Sequence, residues 1–277
     1  MLPAPLHVIA ALVAFGLVGI AVVVFGGTLT HLVRHGGNVL AYHFGLPDLL
    51  TGSTLAVFFI GLMVQSLRES GGDATPVSVD QLLPAQLFVV AIVAGLSGFL
   101  IYRHLSPGRI FGLGAVSPGG TAALAVIFIL ASMPVIAITN YLSQLMLRDL
   151  AAEQELVGLF RDLARERDFS AMGKAFVATV ILAPTCEEFL FRGYFYGVGK
   201  RYLGAFASAL ATSLLFAAFH LNLTSLPWLF VLALCLTAAY ERTGSLLVPI
   251  GMHALYNCTS LTILYLQAQG RLPGVAS

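Results

Sequence analysis

Long apolar stretches recur along almost the whole 277-residue chain, and they leave few folds open to it. A helix of about 20 apolar residues crosses the roughly 30 Å hydrocarbon core of a bilayer. Only 10% of the residues are charged, compared with about 25% in soluble domains. We therefore expect an all-α, polytopic transmembrane helical bundle with about eight spans. The predicted spans are 6–29, 48–67, 84–102, 120–146, 173–199, 204–221, 226–240 and 245–268.

The connection between the fourth and fifth predicted spans has a different character. From about residue 148 to residue 169, charged residues alternate with apolar residues at the spacing of one helix face. This pattern predicts an amphipathic interfacial helix, which could lie in the membrane interface or cover a site as a lid. A plain solvated face is the alternative to the lid, because the charges are mixed. The apolar positions are Ala152, Leu156, Leu159, Phe160 and Leu163.

Charged residues are rare inside the predicted spans, and they concentrate in the fifth. Of the thirteen acidic residues, only Glu187 and Glu188 fall deep within a span, and Arg192 follows one helical turn later. A charged side chain near the centre of a membrane helix costs roughly 2.5–3.5 kcal/mol on insertion scales. Such residues face a bundle interior or a water-filled cavity and usually mark function. We therefore expect this cluster to be buried and functional.

The last spans add polar residues at helical spacing. His220 follows Phe216 by four residues, and Asn257 follows His253 by four residues. Residues four apart share a helix face, so each helix presents one polar face that must turn away from lipid. The sequence predicts that these faces converge. The candidate site residues are Glu187, Glu188, Arg192, His220, His253 and Asn257.

The chemistry open to this cluster is limited. Two neighbouring carboxylates in a low-dielectric site cannot both ionise freely, and Arg192 can pair with Glu188. Glu187 is then the better general base for a water molecule. One histidine can orient that water or bind a metal with the glutamate, while a second histidine and an amide can stabilise an oxyanion. The combination fits hydrolysis of an acyl bond.

Three motifs resemble one known family. Glu187-Glu188-x-x-x-Arg192, Phe216-x-x-x-His220 and His253-x-x-x-Asn257 are similar to the motifs of the CAAX prenyl protease and bacteriocin-processing (CPBP, or Abi) intramembrane metalloproteases. The resemblance covers roughly residues 173–268, and the first four spans match only in being hydrophobic. It implies an α-helical membrane endopeptidase that cleaves near the membrane surface.

The resemblance also implies a role for each site residue. Glu187 would activate water together with His220, and His253 with Asn257 would form the oxyanion site. Glu188 and Arg192 would be a supporting pair. In the family's competing mechanism a metal participates. Zinc would then be held by Glu187, His220 and His253, whereas the metal-free mechanism needs no cofactor.

These inferences define the expected organisation and partners. We expect N-terminal spans over 1–147, an amphipathic connecting helix over 148–172, a CPBP-like catalytic core over 173–268 and a short tail over 269–277. The partners would be membrane lipid and a peptide or protein substrate. The net charge of +1 gives no case for nucleic acid. The expected location is the bacterial cytoplasmic membrane, as an integral multi-pass protein.

Two other functions fit an apolar chain with a buried polar cluster. The first is a non-proteolytic scaffold or immunity protein of the same fold. The second is a secondary transporter or proton pathway, but transporters tend to show internal repeats with broken helices in matching positions. Here the polar cluster occurs once, in the C-terminal third of the chain, which favours the protease.

Overall fold

The computed structural model describes residues 4–69, 78–147 and 155–272, and these residues form helices without any strand. The predicted all-α bundle is confirmed. The helices are α1 (Ala4–His35), α2 (Leu46–Glu69), α3 (Val79–Tyr102), α4 (Pro107–Ile110), α5 (Pro118–Met146), α6 (Glu155–Glu166), α7 (Phe169–Leu203), α8 (Ala205–Phe219), α9 (Leu226–Thr243) and α10 (Leu247–Ala268).

Helices occupy all eight predicted spans, and the chain is an integral multi-pass membrane protein. Within the described ranges, six helices are long and apolar enough to cross a bilayer, namely α1, α2, α3, α5, α7 and α10. Helix α8 is apolar but has only 15 residues, and α9 with 18 residues is not among the six. The exact number of crossings therefore stays a prediction.

The predicted amphipathic helix corresponds to α6, which ends at Glu166 and is followed by α7 from Phe169. Residues 148–154, where the prediction began, lie outside the described residues. Phe160, Leu163 and Ala164 are buried, and the apolar face of α6 packs against α7 and α10. The side-chain amide of Gln269 donates a hydrogen bond to the carbonyl of Ala164 at 2.9 Å. The apolar face is thus covered by protein, and the lid role stays a prediction.

Helix α7 contains two π-helical segments, and they lie on either side of the glutamate pair. The first is Val177–Leu182 and the second is Phe189–Phe195. π-helical turns are rare and often occur at functional sites. They change the angular offset between residues, so the faces of α7 before and after Glu187 do not follow a single 3.6-residue period.

The second half of α7 is deeply buried and closely packed. Arg192, Tyr194 and Tyr196 are among the largest side chains that are fully buried. At Gly197 a Cβ atom would lie 2.5 Å from the Phe44 ring, so only glycine allows the ring to pack there. This packing fixes the helix that carries the glutamates, because any rotation of α7 would disturb these contacts.

Two further buried carboxylates lie at helix ends, so the pattern of apolar spans does not indicate that they are buried. Asp48, at the start of α2, pairs with Arg103 at the end of α3. Glu241, near the end of α9, accepts hydrogen bonds from Tyr196 and Lys200 of α7. Both clusters join separate helices. Each carboxylate has charged or hydroxyl partners within the protein, so we interpret the two clusters as structural.

Candidate active site

Glu188 and Arg192 form a buried ion pair on α7. Nη1 of Arg192 donates to Oε1 of Glu188 at 2.9 Å, and the two side chains are 1% and 0% exposed. Removing one partner from such a pair leaves an uncompensated charge in a low-dielectric environment. Oε2 of Glu188 and Nη2 of Arg192 are buried without a hydrogen-bond partner among the described residues. The charges of Glu188 and Arg192 are therefore compensated mainly by each other.

His253 of α10 contacts the same carboxylate. Its Nδ1 lies 2.8 Å from Oε1 of Glu188. Because Glu188 also accepts the hydrogen bond from Arg192, we assign the Nδ1 proton to the histidine as donor. Nε2 then points the other way, 3.9 Å from Oε2 of Glu187. A carboxylate on one ring nitrogen fixes the orientation of the other, as it does for many catalytic and metal-binding histidines.

Glu187 differs from Glu188 in its exposure. Its side chain is 20% exposed and lines a cavity, whereas Glu188 is completely buried. Oε2 of Glu187 nevertheless has no hydrogen-bond partner among the described residues. The 3.9 Å distance to Nε2 of His253 is too long for a hydrogen bond, but a single water molecule can bridge such a gap. Glu187 is thus the carboxylate available for chemistry.

His220 lies immediately after the last residue of α8. Its Nδ1 is 2.9 Å from the carbonyl oxygen of Phe216, and since a carbonyl only accepts, Nδ1 carries the proton in the neutral ring. Nε2 is left with its lone pair, and the residue lines the cavity. The next residue, Leu221, has φ of +52°, a left-handed conformation that is costly for a residue with a Cβ. This turn ends the helix at the histidine.

Phe216 contacts three of the candidate residues at once. The Arg192 guanidinium lies over its ring at 4.3 Å, a cation–π distance. The centroids of the His220 and His253 rings lie 4.9 Å and 5.8 Å from the centroid of the Phe216 ring. Sequence reasoning identified Phe216 only as the first residue of a motif. Its position between the arginine and both histidines could not be read from spacing, because it depends on how α7, α8 and α10 pack.

Asn257 joins α10 to the first π-helical segment of α7. Its Nδ2 donates to the carbonyl oxygen of Thr179 at 2.9 Å. An amide nitrogen carries two hydrogens, so this bond leaves one for another acceptor. Asn257 also lines the cavity.

A cavity of about 490 Å³ brings four of the six candidates together, namely Glu187, His220, His253 and Asn257. Glu188 and Arg192 are not in its wall and lie behind His253. Helices α3, α6 and α9 supply further wall residues. These include Leu82, Gln86, Val157, Trp228, Leu229 and Leu232. None of these six was predicted, because the sequence gives no signal for which apolar helix faces meet.

The residue types at the site suit zinc, but their positions do not form a three-ligand site. Zinc in proteins is held by histidine nitrogens and carboxylates at about 2.0–2.2 Å. Within the described residues, no group of three His, Cys, Asp or Glu side chains is close enough to hold a metal ion. In the same ranges no ion pair within 4.0 Å joins His220 to Glu187. The described side chains of Glu187, His220 and His253 therefore do not form a ready three-ligand group, and zinc binding by this set stays a prediction.

Comparison with known proteins supports the resemblance seen in the motifs. Residues 171–259 match the family model for the type II CAAX prenyl endopeptidase Rce1-like family. These residues form an Rce1-like domain. The match contains all six candidate residues, and it confirms the suspected kinship with CAAX proteases for this part of the chain.

The chain also has a curated relative. An Escherichia coli protein described as "Uncharacterized 24.3 kDa protein" is 42% identical over 90 residues. The similarity covers 31% of this chain and 41% of that protein, so it spans less than half the length of the relative. No solved structure matches the chain.

Proposed function

We propose that the protein is an intramembrane endopeptidase that hydrolyses a peptide bond near the membrane surface. The observation that carries this proposal is the position of Glu187. Its Oε2 is buried without a hydrogen-bond partner, 3.9 Å from Nε2 of His253, in a cavity that His220 and Asn257 also line. The Rce1-like domain supports the same activity. The description of that family names an endopeptidase, a class of enzyme that hydrolyses peptide bonds.

The catalytic step follows from these positions. A water molecule bound in the cavity gives a proton to the carboxylate of Glu187, while Nε2 of His220 accepts its other hydrogen bond. The water oxygen attacks the carbonyl carbon of the peptide bond. Glu187 then delivers the proton to the amine nitrogen as the C–N bond breaks, which yields a carboxylic acid, on which the second hydrogen of the water remains, and an amine. General-base catalysis of this kind contributes roughly 10²- to 10⁴-fold.

Two donors stabilise the negative charge that develops on the carbonyl oxygen. His253 is one, as an imidazolium whose Nδ1–H donates to Glu188 and whose Nε2–H faces the cavity, and the second N–H of the Asn257 amide is the other. Donors placed in advance at this position act strongly because the site has a low dielectric constant. Glu188 holds the His253 ring from behind through Nδ1. Arg192 and Glu188 are therefore positioning residues in this proposal, since neither lines the cavity.

The location and partners belong to the same proposal. A peptide or protein substrate would approach from the membrane. The location proposed is the bacterial cytoplasmic membrane, and the relative in Escherichia coli supports a bacterial source only. The sequence does not select the substrate. The metal-free mechanism is preferred because the candidate ligands do not converge on one point. Zinc dependence is the competing proposal, and it is tested in the same experiment.

The test is proteolysis of a quenched fluorescent peptide library by the purified protein in liposomes, with and without a strong zinc chelator. Glu187→Gln and His220→Ala are compared with wild type, and Glu166→Gln is the matched control because Glu166 lies on the exposed face of α6. We expect cleavage by wild type and the control, survival of that cleavage on chelation, and a loss of at least about 100-fold in both site variants.

Other outcomes have defined meanings. Loss on chelation with rescue by zinc would replace the metal-free mechanism with a metal-dependent one. Normal cleavage by both site variants would overturn the assignment of the site. A non-proteolytic scaffold or immunity protein would show no cleavage in any condition, and its cellular phenotype would survive Glu187→Gln.

A further inference from the structure

The cavity wall contains a polar residue from the N-terminal half of the chain, Gln86 of α3. It lies outside residues 171–259, which match the Rce1-like family. Leu82 lines the same cavity, and because residues four apart share a helix face, one face of α3 forms this wall. Gln86 thus adds an uncharged amide, from an otherwise apolar span, to the wall of the cavity that Glu187, His220, His253 and Asn257 also line.

The cavity that Gln86 lines is mostly apolar. The wall residues contributed by α6 and α9 are Val157, Trp228, Leu229 and Leu232. A polar group in such surroundings is unfavourable unless it finds a hydrogen-bond partner. A glutamine amide offers two N–H donors and one carbonyl acceptor without charge. It therefore suits a neutral partner with both a donor and an acceptor.

A peptide backbone is such a partner. Each peptide unit carries one N–H and one C=O, and both must be satisfied when a segment enters a low-dielectric site. An extended segment cannot satisfy them internally as a helix does. The catalytic residues occupy the groups around the scissile bond, so a neighbouring residue of the substrate needs another partner in the cavity wall. In an extended segment the N–H and C=O of one residue point to the same side, and Gln86 can accept from that N–H and donate to that C=O.

We infer that Gln86 binds the backbone N–H and C=O of one substrate residue next to the scissile bond. Gln86 is then a substrate-positioning residue supplied by a helix outside the Rce1-like domain. The inference rests on the proposed peptidase function. It also predicts that recognition at this point depends on the peptide backbone and not on a particular substrate side chain.

The experiment combines a protein variant with substrates altered in the backbone. Gln86→Leu removes the amide and keeps a similar volume, and leucine is well tolerated in a membrane span. The probes are quenched apolar decapeptides that wild type cleaves, and a series in which each peptide N–H in turn is N-methylated. For wild type, methylation at one position should raise KM about 3- to 10-fold, as expected for the loss of one hydrogen bond. Gln86→Leu should show that loss with the unmethylated peptide.

The combination isolates the contact. If Gln86 binds that N–H, methylating it raises the KM of Gln86→Leu no further. The kcat of the variant stays close to that of wild type. Equal sensitivity of both proteins to every methylation would overturn the inference. Gln81→Leu is the matched control on the same helix, because Gln81 is exposed and its side chain accepts a bond from the Ser78 N–H. Gln86→Asn, which keeps the amide but shortens the side chain, should fall between wild type and Gln86→Leu.

The inference can fail separately from the proposed function. If wild type cleaves no peptide, the peptidase proposal fails, and unmethylated apolar decapeptides that carry a fluorophore without a quencher are used as binding probes by fluorescence anisotropy. Weaker binding by Gln86→Leu than by Gln81→Leu would still support a backbone-binding Gln86. Equal binding by wild type and Gln86→Leu would overturn it.

Discussion

His253 and Glu188 are in direct contact, with 2.8 Å between Nδ1 and Oε1, although they lie on different helices and 65 residues apart. The same carboxylate oxygen accepts a hydrogen bond from Arg192 at 2.9 Å. Glu188 therefore links the arginine to the histidine, and the histidine in turn faces Glu187 at 3.9 Å. Glu188 thus fixes the orientation of Nε2 of His253, which faces the cavity, through its contact with Nδ1 on the other side of the ring.

The first prediction concerns the charge of Glu188. Glu188→Gln keeps an acceptor for the histidine but leaves Arg192 as a buried charge without a counterion. We expect destabilisation of about 3–5 kcal/mol and a fall in kcat, since His253 loses the carboxylate that orients it. Thermal unfolding in detergent and single-turnover kinetics measure the two effects. Glu166→Gln, on the exposed face of α6, should change neither quantity.

The second prediction is that Glu188 and Arg192 are energetically coupled. Arg192→Met should also destabilise the protein by about 3–5 kcal/mol, because it leaves the carboxylate of Glu188 unpaired. The double variant Glu188→Gln with Arg192→Met removes both charges, so its loss should be smaller than the sum of the single losses. Strict additivity of the three unfolding measurements would show that the 2.9 Å contact contributes no coupling.

Much of this architecture could be predicted from the sequence, and the reasons for the exceptions are physical. The spans were predictable because lipid requires long apolar helices. The inward faces of Glu188, Arg192 and His253 were predictable because ionisable groups avoid lipid. The link between His253 and Glu188 was not, since a contact between helices has no local spacing signal.

The course of α7 was also beyond the sequence pattern. Spacing arguments assume 3.6 residues per turn, and the segments Val177–Leu182 and Phe189–Phe195 depart from that geometry. The walls that α3 and α6 contribute to the cavity depend on many weak packing contacts. The energy of each contact is small, so no single residue near Leu82 or Val157 in the sequence predicts that these helices line the cavity.

The third prediction assigns Phe216 a role beyond filling space. Phe216→Leu keeps most of the apolar volume but removes the ring that lies under Arg192 and beside both histidines. Loss of the cation–π contact alone is about 0.5–2 kcal/mol. We expect kcat to fall more than it does in Phe219→Leu. Phe219 is the matched control because its ring packs against Phe59 and Phe191.

The third prediction is tested by comparing kcat per folded molecule in Phe216→Leu and Phe219→Leu. Both should lower the unfolding temperature, since both remove aromatic packing. If kcat per folded molecule falls equally in the two, Phe216 acts only through packing, and the third prediction is wrong.

The fourth prediction separates two roles of Asn257. Its Nδ2 donates to the carbonyl of Thr179, and its second N–H is proposed to bind the oxyanion. Asn257→Ala should therefore lower stability by about 1 kcal/mol through the lost helix contact and lower kcat by roughly 10²- to 10³-fold through the lost oxyanion donor. Unfolding temperature and kcat are measured on the same preparation.

Asn257→Asp distinguishes these effects more sharply. An ionised aspartate offers no N–H and repels both the Thr179 carbonyl and a developing oxyanion, so both stability and kcat should fall further than in the alanine variant. Ser260→Ala, one turn further along α10 and also in the cavity wall, is a local comparison for removal of a polar group. A kcat loss in Asn257→Ala no larger than in Ser260→Ala would leave Asn257 only as the contact between α10 and α7, and the oxyanion site would need a different donor.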